Sequence, residues 1–152
     1  MLHLVKVLPE VEIDSECIQP NAVDIRIDSL YKVCGSVVLS KTGVSHGTRI
    51  PVVMDGDFYC LEPGAYQFES NTVIKVPDHI CGWVIGRSSL NRNGVFVTSG
   101  LYDSGFNNTI GGTIYVINPT GCRIEKGARV AQFVMDSAQM VNRYNGQYNI
   151  KE

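Results

Sequence analysis

The sequence predicts an all-β fold, a sandwich or barrel with one short helix. Short runs rich in Val, Ile, Thr and aromatic residues recur along the chain, and clusters of Gly, Pro, Asn and Asp separate them. The chain has 152 residues, of which 44% are hydrophobic and 18% charged, so it can bury one sizeable core but not two. We therefore expect a single domain over residues 1–152.

The elements follow from local patterns. In VDIRID the apolar residues alternate with Asp and Arg, so Asp24 points away from the apolar face of its strand. The predicted helix begins at Ser88 in SSLNRNG and stops at Gly94. A tail rich in Asn, Gln and Tyr follows Met140. Strands are predicted at 23–31, 32–40, 47–54, 65–70, 72–77, 82–86, 94–100, 113–119 and 128–135.

Composition excludes several classes of function. A net charge of −2 and a pI near 5.9 provide no broad basic surface, so we expect no nucleic-acid partner. Lys6, Pro9 and nearby acids interrupt the apolar N-terminus, and no run approaches the length of a membrane span. We expect no membrane partner and a cytoplasmic location, in the host cytoplasm if a virus encodes the chain.

The five cysteines are odd in number and far apart, which predicts free thiols in a reducing compartment. No histidine clusters with them at the spacing of a zinc site. Zinc-dependent nucleobase deaminases need an H-x-E with a distant P-C-x-x-C, and the sequence has neither. Zinc-dependent deamination is therefore excluded.

The segment GRSSL at 86–90 predicts an anion-binding turn. Gly86 frees the backbone, Arg87 offers a fork of donors, and Ser88 and Ser89 add hydroxyls and N–H groups at a helix start. Taken alone, the same segment is more often an ordinary turn before a capped helix. Its meaning depends on the motifs around it.

The segment LYDSGF at 101–106 places an acid beside a turn. Asp103 precedes Ser104-Gly105, so its carboxylate should project from a hairpin rather than from a packed strand. A plain hairpin tip is the alternative. An acid near a phosphate-binding turn indicates hydrolysis of a phosphate ester or anhydride.

Four segments occur together: AVDIRID at 22–28, GRSSL, GLYDSGF at 100–106, and KGARVAQFV at 126–134. Together they resemble the trimeric dUTPase and dCTP deaminase superfamily, from about Gln19 to Tyr148. The resemblance implies a distorted jelly-roll-like sandwich or barrel, a homotrimer with active sites between subunits, and one dUTPase-like domain. It further implies that 141–152 forms a flexible C-terminal lid.

The resemblance also implies roles for individual residues. Asp24 would face Mg²⁺ through its waters or help to order the catalytic carboxylate, with a solvated strand residue as the alternative. The triphosphate would contact Arg87, Ser88, Ser89 and Gln132. Arg129 belongs to the fourth segment too, but its place in the strand ARVAQF is equally consistent with facing solvent or pairing across the trimer. Main-chain groups of Thr98, Ser99, Gly100 and Leu101 would read the pyrimidine edge, and the ring of Phe106, at a position usually held by Tyr, would pack under the deoxyribose.

The implied reaction is hydrolysis of dUTP to dUMP and pyrophosphate. Asp103 would act as general base for a water that attacks the α-phosphorus, and Mg²⁺ would bridge the triphosphate oxygens. The superfamily's deaminases carry a Glu three residues before an Asn, where this chain has Tyr115 before Asn118. The deaminase acid is therefore missing.

Other features resemble the deaminases. Arg92 in SSLNR is one, and the closing tail YNGQYN, with Tyr144, Gln147 and Tyr148 as lid residues, is another. The glycine-rich fifth motif of many dUTPases is not found. Two alternatives to the dUTPase therefore stay open: a dCTP deaminase or bifunctional deaminase and dUTPase, and a nucleotide-binding regulatory trimer without turnover.

Overall fold

The computed structural model describes residues 1–150, so the last two residues of the predicted domain and lid lie outside the described part. The helical segments are α1 (Leu4–Val7), a 3₁₀ turn (Ser15–Cys17) and α2 (Ser88–Asn91). The strands are β1 (Val23–Arg26), β2 (Ser29–Cys34), β3 (Val38–Ser40), β4 (Gly43–Ser45), β5 (Thr48–Pro51), β6 (Met54–Asp55), β7 (Phe58–Leu61), β8 (Gly64–Lys75), β9 (Ile80–Gly86), β10 (Val95–Thr98), β11 (Asn107–Val116), β12 (Cys122–Glu125) and β13 (Arg129–Ser137).

Most strands belong to one large sheet. Its eight strands lie in the order β1-β13-β9-β10-β11-β8-β2-β5, and neighbouring strands are antiparallel. A smaller sheet has the order β12-β7-β6, and β3 pairs with β4 in an exposed hairpin. The many non-consecutive neighbours mean that the chain crosses repeatedly between distant strands.

The large sheet curls around one core. Buried side chains from β1, at one end of the sheet, and from β8 and β2, towards the other end, belong to a single apolar cluster. In a flat sheet these strands would lie too far apart to share a core. Strands β7 and β12 close this cluster with Tyr59, Leu61 and Ile124. The all-β, jelly-roll-like fold predicted from the sequence is confirmed. The largest fully buried side chains include Phe68, Phe133, Leu4, Ile25, Ile74, Ile110 and Ile114.

Several predicted boundaries differ from the structure. The runs 23–31 and 32–40 each contain a break, whereas 65–70 and 72–77 form one strand, β8. The segment NNTIGG at 107–112, which lies outside the predicted strands, is the first half of β11. The predicted helix is present as α2, but the helical turn α1 has no signal in the sequence that we identified.

One register row crosses the outer face of the large sheet. Asp24 pairs with Gln132, Gln132 with Ile85, Ile85 with Thr98, and Thr98 with Thr113. Side chains of paired residues lie on the same face of a sheet, so these five stand in one line. The row joins Asp24 of AVDIRID and Gln132 of KGARVAQFV to Ile85, which precedes GRSSL, and to Thr98, which lies two residues before GLYDSGF.

All five cysteines are free, as the sequence predicts. Burial raises the pKa of the Cys17, Cys81 and Cys122 thiols above the ordinary range. Across residues 1–150 no helix has the length and apolar character needed to cross a membrane.

Candidate active site

The buried carboxylate of Asp24 organises the residues predicted to bind phosphate. Gln132 Nε2 donates to Asp24 Oδ1 over 3.1 Å, and Arg129 Nη1 donates to Oδ2 over 3.2 Å. Arg87 Nε lies 3.4 Å from the same Oδ2. The Asp24 side chain has 0% of its surface exposed, so these three partners replace its hydration.

The interpretation of Asp24 as a solvated strand residue is therefore wrong. The alternation predicts the correct face, but it cannot predict that Arg87 and Arg129 cover that face. From the sequence, we expect Arg129 either to face solvent or to pair across the trimer. In the structure it binds Asp24 of its own chain and donates to the Glu16 carbonyl over 2.6 Å. Asp24 thus holds two guanidinium groups in fixed positions.

Arg87 retains donors for a ligand. Its Nε forms an ion pair with Asp24 and its Nη1 donates to the Arg129 carbonyl over 3.2 Å, which leaves other N–H groups among the five of a guanidinium. Ser88 and Ser89 follow directly, exposed at the start of α2. A side chain at Gly86 would come within 2.8 Å of Asn91 Oδ1, so a glycine allows this turn to pack closely. The structure brings Arg87 and Gln132 together and leaves both serines accessible.

A cavity of about 690 Å³ lies at the other end of the register row. All the residues predicted to contact base and sugar line it: Thr98, Ser99, Gly100, Leu101 and Phe106. The Ser99 hydroxyl is held in place because it accepts from Val84 N over 2.8 Å and donates to Gly100 O over 2.7 Å. The cavity is large enough for a nucleoside.

Tyr102 fixes the back of this cavity. Its ring packs edge-on against Phe106, with centroids 4.8 Å apart, and its hydroxyl donates to Gly111 O over 2.6 Å. The same hydroxyl accepts from Gly111 N over 2.9 Å. Burial is the main reason that the pKa of Tyr102 is raised. One phenol therefore satisfies both backbone groups of Gly111, at the irregular position of β11.

We expect Tyr102→Phe to lower the free energy of unfolding by about 1–3 kcal/mol, because Gly111 would keep two buried polar groups without a partner. Urea unfolding followed by fluorescence measures this loss. Tyr148→Phe is the matched control, since the Tyr148 side chain is exposed and its hydroxyl has no hydrogen-bond partner within the described chain. Equal stability of the two variants would contradict the role given to the Tyr102 hydroxyl.

Asp103 projects from a turn next to the cavity. Phe106 N donates to the Asp103 carbonyl over 3.0 Å, and Gly105 occupies the turn with a φ of 89°, a value that favours glycine. Buried Ser104 anchors the turn by donating to Ile80 O over 2.7 Å. The Asp103 side chain is exposed, and among residues 1–150 it has no hydrogen bond or ion pair. Its carboxylate can therefore accept a proton from water.

The phosphate-binding group and the cavity are separate within one chain. Neither Asp24 nor Arg87 nor Gln132 lines the cavity. Four steps between neighbouring strands separate Asp24 from Thr113 along the register row, which amounts to roughly 19 Å. One chain thus presents two half-sites on one face of its sheet.

The C-terminal tail docks on the Asp103 turn of its own chain. Tyr144 N donates to Ser104 O over 2.8 Å, and Ile150 N donates to Asn107 O over 2.9 Å. The Asn149 side chain bridges the two, accepting from Asn107 N over 2.8 Å and donating to Gly105 O over 3.2 Å. Hydrogen bonds from both backbone and side chain therefore hold the described part of the tail.

The three predicted lid residues separate into two groups. Tyr144 and Tyr148 line the cavity, and the Tyr144 ring lies 5.9 Å from that of Phe106. Gln147 lines a neighbouring cleft instead. The tail therefore contributes two aromatic walls to the cavity.

Tyr115 and Arg92, the two positions compared with the deaminases, lie in different parts of the structure. Tyr115 on β11 lines the cavity and is 42% exposed. Arg92 lies at the end of α2, is exposed and does not line the cavity. Within the described residues, the carboxylate on the cavity wall is that of Glu69, from β8, a residue that sequence reasoning missed.

The hydrogen bonds of Asp24 bear on whether this residue could bind a divalent cation directly. No group of three or more His, Cys, Asp or Glu suitable for a metal exists within residues 1–150. Both oxygens of Asp24 already accept from Arg or Gln, which favours a positioning role over direct metal ligation. Mg²⁺ commonly keeps several waters and takes substrate phosphates as ligands, so it needs no all-protein cage. Contact between Asp24 and metal-bound water stays a prediction.

Comparison with known proteins finds a matching family model, similar relatives and a solved structure of similar fold. A family model described as dCTP deaminase-like matches residues 3–138. A probable deoxyuridine 5'-triphosphate nucleotidohydrolase of Halobacterium salinarum is 31% identical over 137 residues, which cover 86% of this chain and 82% of the relative. A dUMP-forming dCTP deaminase of Persephonella marina is 29% identical over 143 residues, which cover 90% of this chain and 79% of the relative. The crystal structure of native EIAV dUTPase has a TM-score of 0.57 with 15% identity and covers 93% of each chain, a likeness of fold.

Proposed function

This chain belongs to the dCTP deaminase-like family, and we propose that it hydrolyses dUTP to dUMP and pyrophosphate. One observation carries the proposal. The exposed Asp103 carboxylate, which has no partner within residues 1–150, stands beside a cavity whose wall bears Tyr115 at the position of the deaminase Glu. The chain thus keeps a base for water and lacks the acid for deamination.

In the proposed mechanism the sugar of dUTP packs on Phe106 and the base enters the cavity. Asp103 accepts a proton from a water molecule, whose oxygen attacks the α-phosphorus in line with the leaving pyrophosphate. Mg²⁺ bound to the triphosphate oxygens would neutralise part of their charge. The products are dUMP and pyrophosphate, and the proton on Asp103 returns to solvent.

The triphosphate is held by the residues around Asp24. Arg87 can bind phosphate oxygens with its remaining donors, and Ser88 and Ser89 add hydroxyls. Asp24 orients Arg87, so that little rotamer entropy is lost when the nucleotide binds. Gln132, which donates to Asp24 through one N–H, has a second N–H for the ligand.

We place each active site between two subunits of a homotrimer. The separation along the sheet, roughly 19 Å from Asp24 to Thr113, supports this arrangement, because a neighbouring subunit can bring its own phosphate-binding group to the cavity. Large apolar side chains on the outer face between the half-sites also support it. Ile85 and Phe96 are 39% and 43% exposed, which suits a covered interface better than solvent.

Complementation tests the shared site. Arg87→Ala and Asp103→Asn each remove one half-site, and mixed trimers refolded from equal amounts should recover about a quarter of the active sites. Recovery requires Asp103 from one subunit and Arg87 from its neighbour. No recovery above the separately assayed variants would show that each site lies within a single chain.

A product assay tests the reaction itself. Purified protein with Mg²⁺ receives dUTP or dCTP separately, and pyrophosphate and ammonia are both recorded. The proposal requires pyrophosphate from dUTP and no ammonia from dCTP. Ammonia from dCTP would favour the bifunctional deaminase, and dUTP binding without any product would favour a regulatory trimer.

The docked tail provides a further prediction. We expect Asn149→Ala to raise the KM for dUTP several-fold with a smaller change in kcat, because loss of its two bridging bonds loosens the tail that carries Tyr144 and Tyr148. Steady-state kinetics measure the split. Asn145→Ala, in the same tail but with no side-chain hydrogen bond in the described part, is the control. Unchanged KM in the Asn149 variant would contradict a role for the docked tail in binding.

A further inference from the structure

The cavity wall contributed by β8 carries polar side chains that the proposed mechanism does not use. Gln67 and Glu69 point outward from this strand, between the inward Tyr66, Phe68 and Ser70. Both line the cavity that contains Thr98 and Phe106. No Lys, Arg or His from the described chain lines it.

Arg49 of β5, which is separated from β8 by β2, fixes the orientation of both side chains. Its Nη1 donates to Gln67 Oε1 over 3.1 Å and to Glu69 Oε1 over 2.7 Å. Its guanidinium carbon lies 4.5 Å from the centre of the Tyr31 ring, which holds it from one side. Since Arg49 occupies the amide oxygen of Gln67, the amide nitrogen remains available to donate. Likewise, Oε2 of Glu69 remains available to accept.

The register places this pair beside the residues expected to hold the base. Gln67 pairs with Thr113, which pairs with Thr98, so these three stand in one row on the cavity side. Glu69 pairs with Gly111. Because glycine has no side chain, the residue opposite Glu69 adds none to the cavity. One fixed donor and one fixed acceptor thus stand two residues apart on the same strand.

We propose that Gln67 and Glu69 read the hydrogen-bonding edge of the pyrimidine and select uracil over cytosine. Glu69 accepts from the N3–H of uracil, while Gln67 donates to uracil O4, where cytosine carries an amino group instead. Cytosine offers an unprotonated N3 lone pair at that position, which a carboxylate repels. This inference rests on the proposed function and assigns base selection to side chains, in addition to the main chain of residues 98–101.

The substitution Glu69→Gln tests whether Glu69 selects the base or only contributes to packing. A glutamine at this position can turn its amide to donate to the cytosine N3, so the preference for uracil should fall by about tenfold or more. Gln67→Leu should weaken binding of the uracil nucleotide more than that of the cytosine nucleotide. Glu125→Gln, an exposed acid on β12 outside the cavity, is the matched control and should leave the preference unchanged.

The experiment measures equilibrium binding of α,β-imido dUTP and α,β-imido dCTP to the full chain by titration calorimetry. These analogues resist hydrolysis, so the ratio of their affinities does not depend on turnover. A ratio favouring uracil in the natural protein and reduced only in the Glu69 and Gln67 variants supports the inference. Equal weakening of both analogues, an unchanged ratio, or no preference in the natural protein overturns it.

Failure of the inference is distinguishable from failure of the proposed function. A protein that binds the uracil analogue selectively but releases no pyrophosphate from dUTP would refute the hydrolase and leave base selection by Glu69 intact. Release of pyrophosphate with an unchanged ratio in Glu69→Gln would do the reverse.

Discussion

Asp103→Asn should reduce the turnover of dUTP by about 10²–10⁴-fold, the usual contribution of a positioned general base. Asparagine keeps the size of the side chain but cannot take a proton from water. The fold should be unaffected, since the Asp103 side chain is exposed and has no hydrogen bond or ion pair within residues 1–150. We expect binding of the nucleotide to change much less than kcat.

Single-turnover kinetics at saturating dUTP measure this loss, and thermal unfolding of the same sample reports on the fold. Asp55→Asn, on β6 and outside the cavity, controls for removal of one negative charge. An Asp103→Asn protein that keeps more than about a tenth of the natural rate would refute the role of Asp103 as base.

Asp24→Asn should lower the stability of the fold. The buried carboxylate compensates the charges of Arg87 and Arg129, and an amide would present N–H groups to at least one of them. Breaking a fully buried pair costs about 3–5 kcal/mol, but both arginine side chains are nearly one-third exposed, so water offsets part of the loss. We expect the free energy of unfolding to fall by about 2 kcal/mol.

Urea unfolding at a fixed protein concentration measures this change, because subunit association would make stability depend on concentration. Asp28→Asn is the matched control. Asp28 forms a surface pair with Lys126 at 3.6 Å, and its side chain is 51% exposed, so its loss should cost less than about 1 kcal/mol. A cost for Asp24→Asn as small as that of the control would contradict the organising role of the buried carboxylate.

The fold was predictable because its signals are local. Short β-branched runs between turn residues indicate strands wherever they occur, and the alternation in VDIRID identifies the correct face for Asp24. The lengths of the strands were harder to predict. Asn71 interrupts the pattern between AYQFES and TVIKVP, yet β8 continues through it because β11 pairs along both halves.

Long-range contacts explain what the sequence could not reveal. The segment NNTIGG has the glycines of a connection, but the Tyr102 hydroxyl and the pairing with β8 hold it as a strand. Burial of Asp24 depends on Arg129, 105 positions away in the chain. Patterns within one element cannot predict such a contact.

The same reason applies to the site. The residues predicted for base and sugar do line one cavity, because they follow one another in sequence. Gln67 and Glu69 reach this cavity only through the pairing of β8 with β11, and their outward alternation on β8 was the one signal that could have indicated them. The docking of Asn149 on the Asp103 turn likewise joins residues that are distant in sequence.

The measurement that tests the central claim most directly is hydrolysis of dUTP by the natural protein in water enriched in the heavy oxygen isotope. Mass spectrometry of the products shows which phosphorus the water attacks. We predict that the heavy oxygen enters dUMP and is absent from pyrophosphate, as attack on the α-phosphorus by water requires. Heavy oxygen in the pyrophosphate, or dUTP recovered unchanged, would contradict the proposed function.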